Sequence, residues 1–239
     1  MISSTSFLLL TAASVALIHT LAGPDHYLPF AAMARAFSWS RQRTIAVTLV
    51  CGLGHVLSSV LLGLAGIALG LGLASLQAIE SARGRFAALA LAAFGLLYCA
   101  WGFRRAMRNQ PHGHTHGHAD GTVHAHTHVH EHDHLHVHPR QTDSATTVTP
   151  WLLFTVFLLG PCEPLIPLVM YPAANRNWMD VGLVTLVFGL VTLLTMTVAT
   201  LSCAAGMRQI RIASLERYSH ALAGSIIALC GFAILVLHI

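Results

Sequence analysis

The sequence predicts an all-α integral membrane protein with six transmembrane helices, arranged as two inverted three-helix repeats whose helices are broken at Gly-Pro. Three observations support this fold class. Hydrophobic residues make up 55% of the 239 residues and charged residues only 9%, a balance that a water-soluble domain does not need. Apolar segments long enough to cross a bilayer recur along the chain, and a short polar motif recurs within them at a constant spacing.

A membrane-spanning helix needs roughly 20 mostly apolar residues, and this rule selects six segments. In chain order they are residues 5–22, 45–73, 86–103, 150–172, 179–205 and 219–238. No basic residue precedes the first segment, so we interpret it as a retained span and not as a signal peptide. A long polar segment then divides the chain into a first three-span repeat (1–104), a histidine-rich loop (105–149) and a second three-span repeat (150–239).

All 13 basic residues are arginine, and their distribution predicts the orientation. Ten lie on the side of the histidine-rich loop, and three, Arg83, Arg85 and Arg176, lie on the other. Because arginine-rich loops stay in the cytoplasm, we expect this loop inside and both termini outside. The short loops suit a bacterial inner membrane. The net charge of +4 is too small to suggest nucleic acid as a partner.

A shift of 137 residues superposes segments in two different spans. It places Gly23-Pro24-Asp25-His26 on Gly160-Pro161-Cys162-Glu163, and TLVCGLGH (48–55) on TLVFGLVT (185–192). Each half holds three spans, an odd number, so the halves would enter the bilayer in opposite directions. Transporters with inverted repeats form their binding site where the broken helices meet, and we expect the site of this chain there.

A Gly-Pro pair interrupts one apolar segment in each half, at Gly23, Pro24, Gly160 and Pro161. Proline removes a backbone donor, and the freed backbone groups at membrane depth must be satisfied by protein or by water in a cavity. The two pairs therefore predict an interior cavity, and they are the expected hinges of any motion between the halves.

Potential metal ligands follow each break directly. A carboxylate at mid-membrane costs at least ~2.5 kcal/mol, which a bound cation would offset. His19, two helical turns before His26, and His55 in the second span can approach the same cavity. The predicted ligands are His19, Asp25, His26, His55, Cys162 and Glu163. Imidazoles, carboxylates and at most one thiolate suit nickel, cobalt or zinc better than calcium or magnesium.

Each of these residues also has a structural interpretation. His55 could donate a hydrogen bond to a neighbouring carbonyl, and Cys162 could simply pack, as buried cysteines often do. Thr192, the repeat counterpart of His55, is expected to bond its own helix backbone. The remaining cysteines are expected to pack, except that Cys51 lies one turn from His55, and His220 has no assigned role.

Twelve of the 17 histidines lie in the loop, mostly at every second position: His112, His114, His116, His118, His124, His126, His128, His130, His132, His134, His136 and His138. Alternation places them on one side of an extended chain, and neutral imidazole binds borderline metals. We expect a metal buffer or sensor that is disordered without metal. The alternatives are a dispensable linker and a direct role in transport.

HTLAGPDH (19–26) resembles the first-span motif of the nickel/cobalt transporter family, whose bacterial efflux members also carry a histidine-rich cytoplasmic loop. Five residues separate His19 from Asp25-His26 here, where the uptake permeases have four. The resemblance implies that His19, Asp25 and His26 contact the metal, and that the cargo is nickel or cobalt. It leads us to expect a metal transporter, with a slight preference for export, and not an enzyme. No cofactor is expected beyond the transported metal; the bilayer is the other partner, and a homo-oligomer is left open.

GPCEPLIP (160–167) is similar to the Cys-Pro segment of membrane thiol-disulfide electron carriers of the cytochrome c biogenesis type. Such carriers need a reactive cysteine in each half, whereas the repeat counterpart of Cys162 is Asp25. An electron carrier therefore stays as one alternative, with Cys51 as the thiol of the first half. A membrane protein that binds or senses metal without transporting it is the other.

Overall fold

The computed structural model describes residues 4–108, 112–117, 123–128, 144–160, 162–209 and 216–237. Helices form nearly all of this part of the chain. They are α1 (Ser4–Ala22), α2 (Leu28–Ala36), α3 (Arg41–Ala68), α4 (Leu73–Arg108), α5 (Ser144–Leu159), α6 (Leu165–Ala174), α7 (Trp178–Gln209) and α8 (Ser219–Leu237). A single 3-10 turn, Pro24–His26, connects α1 to α2. Two strands, β1 (His112–Gly117) and β2 (Val123–His128), pair antiparallel.

Five helices of the described part are long and apolar enough to cross a membrane, namely α1, α3, α4, α7 and α8. The prediction of a chain built from long apolar helices is confirmed. The predicted fourth span, 150–172, differs in form, because it is divided into the 16-residue α5 and the 10-residue α6. Gly160 ends the helical backbone there and Pro164 precedes α6, so neither helix alone reaches the length of a span.

Helix α4 is longer than the predicted span 86–103. It contains 36 residues, which corresponds to about 54 Å. Residues 74–85, expected as a loop outside the membrane, form its first turns. Glu80 is fully buried there, and its Oε2 lies 3.0 Å from Nη2 of Arg83, one turn further along. This charged stretch can form a helix because the two opposite charges pair along one face of it.

Three helix boundaries around the break differ by the same number of residues in the two halves. Helices α1 and α5 end at residues 22 and 159, α2 and α6 begin at 28 and 165, and α3 and α7 begin at 41 and 178. Each difference is 137 residues, which is the shift that superposes the sequence motifs. Both halves thus interrupt the chain at the same place and resume it with a short helix followed by a long one.

Helices α4 and α8 approach each other at backbone distance. A Cβ atom added at Gly95 would collide with the backbone of Ala228, and one at Gly224 would collide with the backbone of Cys99. Gly102 and Gly231 extend the same contact toward both ends of the helix pair. Small residues at such spacing allow membrane helices to gain close van der Waals contact, which is their main packing energy in lipid.

Buried apolar side chains form two clusters in the described residues. The first joins α2, α3, α4, α5, α7 and α8 around Phe30, Leu153 and Ile227, and includes Cys51. The second joins α1, α6 and α7 around Leu165 and Phe188, and includes Cys162. The two cysteines that a redox relay would use therefore belong to different clusters.

Two described parts of the histidine-rich loop, β1 and β2, pair antiparallel, and the expected disorder without metal stays a prediction. The register pairs His112 with His128, His114 with His126, and His116 with His124. Strict alternation of histidine with other residues is the period of a strand, which favours pairing of the two segments. The other predicted loop ligands lie outside the described residues: His118, His130, His132, His134, His136 and His138.

Candidate metal centre

The first break positions two of the candidate ligands. The amide of Gly23 donates to the carbonyl of His19 (3.0 Å), and the amide of His26 donates to the carbonyl of Gly23 (3.1 Å), so the turn satisfies its own backbone. A side chain at position 23 would collide with the His26 ring, since an added Cβ would lie 2.6 Å from its Nδ1. Glycine is required here for close approach, and the imidazole of His26 fills the space beside it.

Three histidines from three elements, namely α1, the 3-10 turn and α3, meet beside this break. The ring centroids of His19 and His26 lie 4.8 Å apart, and those of His26 and His55 lie 5.1 Å apart. His26 and His55 are buried, and His19 is partly exposed. A lone histidine in a span is readily explained by one hydrogen bond, but three rings in contact at this depth need a common explanation.

Hydrogen bonds determine which ring nitrogen of each buried histidine is free. Nδ1 of His26 donates to the Gly23 carbonyl at 3.1 Å and lies 3.3 Å from Oδ1 of Asp25. Nδ1 of His55 lies 3.4 Å from the Phe157 carbonyl. A carbonyl oxygen can only accept, so in each ring Nδ1 carries a proton, and in the neutral imidazole Nε2 keeps its lone pair. This orientation of imidazole by an acceptor behind it is typical of metal ligands.

The free nitrogens are unsatisfied. Nε2 of His19, His26 and His55 all lack a hydrogen-bond partner within the described part of the chain. Buried polar atoms without partners are uncommon in folded proteins, because each costs about 1–3 kcal/mol. Three such atoms on adjacent rings are explained together by a cation that accepts their lone pairs.

A thiol completes the cluster from the second break. Ligand atoms of His19, His55 and Cys162 all lie within 4.8 Å of one another, and Cys162 is fully buried. Two imidazoles and one thiol at this separation can surround one ion, with the His26 ring beside them as a further donor. Nitrogen and sulfur donors of this kind suit borderline divalent ions.

The two predicted carboxylates have different positions. The side chain of Asp25 is 22% exposed and lies behind His26, on the Nδ1 side of its ring. Glu163 is exposed, and both carboxylates line the adjoining cavity. Of the six predicted ligands, the structure thus groups His19, His55 and Cys162 most closely. Sequence adjacency to a break does not determine which side of the turn a side chain occupies.

A cavity of about 390 Å³ connects this cluster to the first half of α4. His19, His26 and His55 line one end, and Ser81 and Arg85 of α4 line another part of it. The volume has room for about ten water molecules at ~30 Å³ each, enough for a partly hydrated ion. Gly160, one predicted hinge, also lines the cavity, while its neighbour Pro161 lies outside the described residues.

Sequence analysis missed a polar network at the second break. Nη2 of Arg83 donates to Oγ of Ser59 (2.7 Å) and to the carbonyl of Gly160 (2.9 Å), and it contacts Glu80. Ser59 Oγ also accepts the amide of Cys162 at 3.1 Å. The available signal was a glutamate and an arginine three residues apart, the spacing of an ion pair on one helix face.

Two other polar side chains were singled out in the sequence, His220 without an assigned role and Thr192 with one. His220 lies away from the cavity, and its Nδ1 is 2.6 Å from Oη of Tyr98, which links α8 to α4. Thr192 was expected to bond its own helix, yet its buried hydroxyl has no partner among the residues whose side chains are described.

Comparisons of the chain with protein-family models, with curated proteins and with solved structures find no match. The site is therefore interpreted from its own geometry.

Proposed function

We propose that this protein is a membrane transporter of a divalent transition-metal ion, bound by His19, His26 and His55 with the thiol of Cys162. The observation that carries the proposal is the set of three imidazole Nε2 atoms without partners in the described structure, next to a buried thiol. Burial of these groups costs free energy that an ion would offset, and the adjoining cavity provides a path for it.

The architecture we propose is two three-span repeats of opposite orientation, residues 1–104 and 150–239. The constant shift of 137 residues in both motifs and helix boundaries supports it. The short helices α5 and α6 would together form the remaining span, which is the fourth in chain order. Rocking of one half against the other about Gly23-Pro24 and Gly160-Pro161 would expose the ion to each side in turn.

Nickel or cobalt is the proposed cargo, with zinc next, on the resemblance of residues 19–26 to the nickel/cobalt transporter family. The location we propose is a bacterial inner membrane, with the histidine-rich loop in the cytoplasm as a metal buffer. Export is favoured slightly, because a cytoplasmic buffer collects excess ion. Cells that lack the protein should then accumulate more nickel and cobalt than the wild type, and lower accumulation would favour import.

Flux measurements test the proposal directly. Purified full-length protein in sealed vesicles should carry Ni²⁺ or Co²⁺ across the bilayer, measured with an indicator dye inside the vesicles. Vesicles without protein control for leakage. Binding of metal without any flux would instead support a binding or sensing protein.

Cysteine substitutions distinguish transport from electron transfer. Cys51→Ser should leave Co²⁺ flux within about twofold of wild type, because Cys51 packs in a cluster that does not include Cys162. Cys162→Ser should reduce the flux by about tenfold, since three imidazoles remain to hold the ion. A thiol relay requires both cysteines, so equal and complete loss in the two variants would contradict transport as the function.

Asp25→Asn should raise the apparent Km for Co²⁺ flux by about tenfold, the usual effect of altering a group that supports a metal ligand. The carboxylate lies 3.3 Å from Nδ1 of His26 and adds negative charge behind that ring, whereas the amide keeps an oxygen but loses the charge. Glu216→Gln, a change at an exposed acid, is the control. An unchanged Km in Asp25→Asn would exclude this role.

A further inference from the structure

The polar network of Glu80, Arg83 and Ser59 reaches the second break from two other helices. Arg83 is in α4 and Ser59 in α3, and both contact backbone between α5 and α6. The Gly160 carbonyl and the Cys162 amide are the two groups held, one on each side of Pro161. They are backbone groups that an uninterrupted helix would have satisfied internally.

The first break has no need of such support. Its amides bond to carbonyls of its own turn, at Gly23 and His26. At the second break, the amide of Cys162 bonds instead to the hydroxyl of Ser59 on another helix. The position of the Cys162 thiol is therefore set by side chains from α3 and α4, while the position of His26 is set locally.

Glu80 offsets the positive charge of Arg83, which lies near the proposed metal ion. Its carboxylate is fully buried and contacts Nη2 of Arg83 at 3.0 Å, so the pair carries no net charge. An unpaired guanidinium at this place would repel a divalent ion in the low dielectric of the membrane interior. The pair can thus supply hydrogen-bond donors to the break without opposing the ion.

We propose that Ser59 and Arg83 are positioning residues that hold Cys162 where its thiolate can join His19 and His55 around the ion. They thereby give the site its preference for ions that accept sulfur over ions that prefer oxygen. On binding, the thiol loses its proton to cavity water as the sulfur–metal bond forms. This inference rests on the proposed metal site and specifies how its one sulfur ligand is placed.

Cobalt(II) titration of the full-length protein in lipid nanodiscs tests the inference, with the near-ultraviolet thiolate-to-cobalt charge-transfer band as the readout. The histidine-rich loop binds cobalt as well, but residues 100–161 contain no cysteine, so the loop cannot produce this band. Loss of the band in Cys162→Ser assigns it. Ser58→Ala is the matched control for Ser59→Ala, because the Ser58 hydroxyl bonds only to the His55 carbonyl of its own helix among the contacts described.

Ser59→Ala and Arg83→Gln are expected to lose most of the band and about tenfold in Co²⁺ affinity for the intramembrane site, as changes to residues that position a metal ligand usually do. Mn²⁺, which prefers oxygen ligands, should then compete better. If Arg83→Gln fails to fold, as judged by circular dichroism, Ser59→Ala decides alone. A band of wild-type intensity in Ser59→Ala, or no band in the wild type, overturns the inference. Co²⁺ flux by wild-type protein in vesicles is measured separately, so a failure of this inference is distinct from a failure of transport.

Discussion

His55→Ala is expected to reduce Co²⁺ or Ni²⁺ flux in vesicles at least ~100-fold, because loss of a supporting partner alone costs 10–100-fold and His55 is a direct ligand. Its ring contacts His26, its Nε2 has no partner in the described structure, and it is in the closest set with His19 and Cys162. Alanine removes the imidazole nitrogen that would bind the ion. The remaining ligands then no longer surround one ion. Flux per folded protein, measured with an indicator dye, is the readout.

His220→Ala is the matched control for this prediction. His220 is also a histidine in a long helix, but it contacts Tyr98 and does not line the cavity. Its flux should stay within about twofold of wild type. Equal losses in the two variants would show that any histidine change in a span impairs the protein, and the assignment of His55 as a ligand would be withdrawn.

Gly95→Leu is expected to prevent stable packing of α4 against α8, at a cost of roughly 3 kcal/mol or more. A Cβ at this position already collides with the backbone of Ala228, and backbone cannot move aside as a flexible side chain can. The measurement is the thermal unfolding midpoint in detergent, together with the yield of monodisperse protein. We expect a much lower midpoint or no recoverable protein.

Gly206→Leu provides the comparison, because it makes the same substitution inside α7 where nothing lies within 4 Å of an added Cβ. That variant should unfold at the wild-type temperature or slightly above, since leucine favours helix more than glycine does. Similar destabilisation of both variants would mean that the α4–α8 contact contributes no more to the stability of the fold than an ordinary surface position does.

Several features of the fold could be predicted from residue type alone. Gly23-Pro24 and Gly160-Pro161 indicated where helices end, because proline cannot continue the backbone hydrogen bonding, and α1 and α5 do end there. His19, His26 and His55 were expected to approach one cavity, and they line it together. These predictions depend only on local backbone chemistry and on the high cost of burying polar groups.

Other features depend on tertiary contacts that no local pattern encodes. Hydropathy predicts a loop at Glu80 and Arg83. Their pairing nevertheless allows them to lie inside a long helix, against the second break. The relative positions of Asp25 and Glu163 depend on how each turn is rotated, which adjacency to Gly-Pro does not fix. The close set of His19, His55 and Cys162 combines α1, α3 and the second break, so only the packed chain could reveal it.

The glycine-lined contact between α4 and α8 has a mechanical consequence for any alternating cycle. Helices in backbone contact along several turns cannot slide or tilt separately without losing that contact, so α4 of the first half and α8 of the second move as one unit, and any rocking of the halves must pivot about this contact. Spin labels placed on these two helices should therefore keep a fixed separation when metal is added. Labels on α5 and α6 lie on either side of the second break, and the distance change should be concentrated between them.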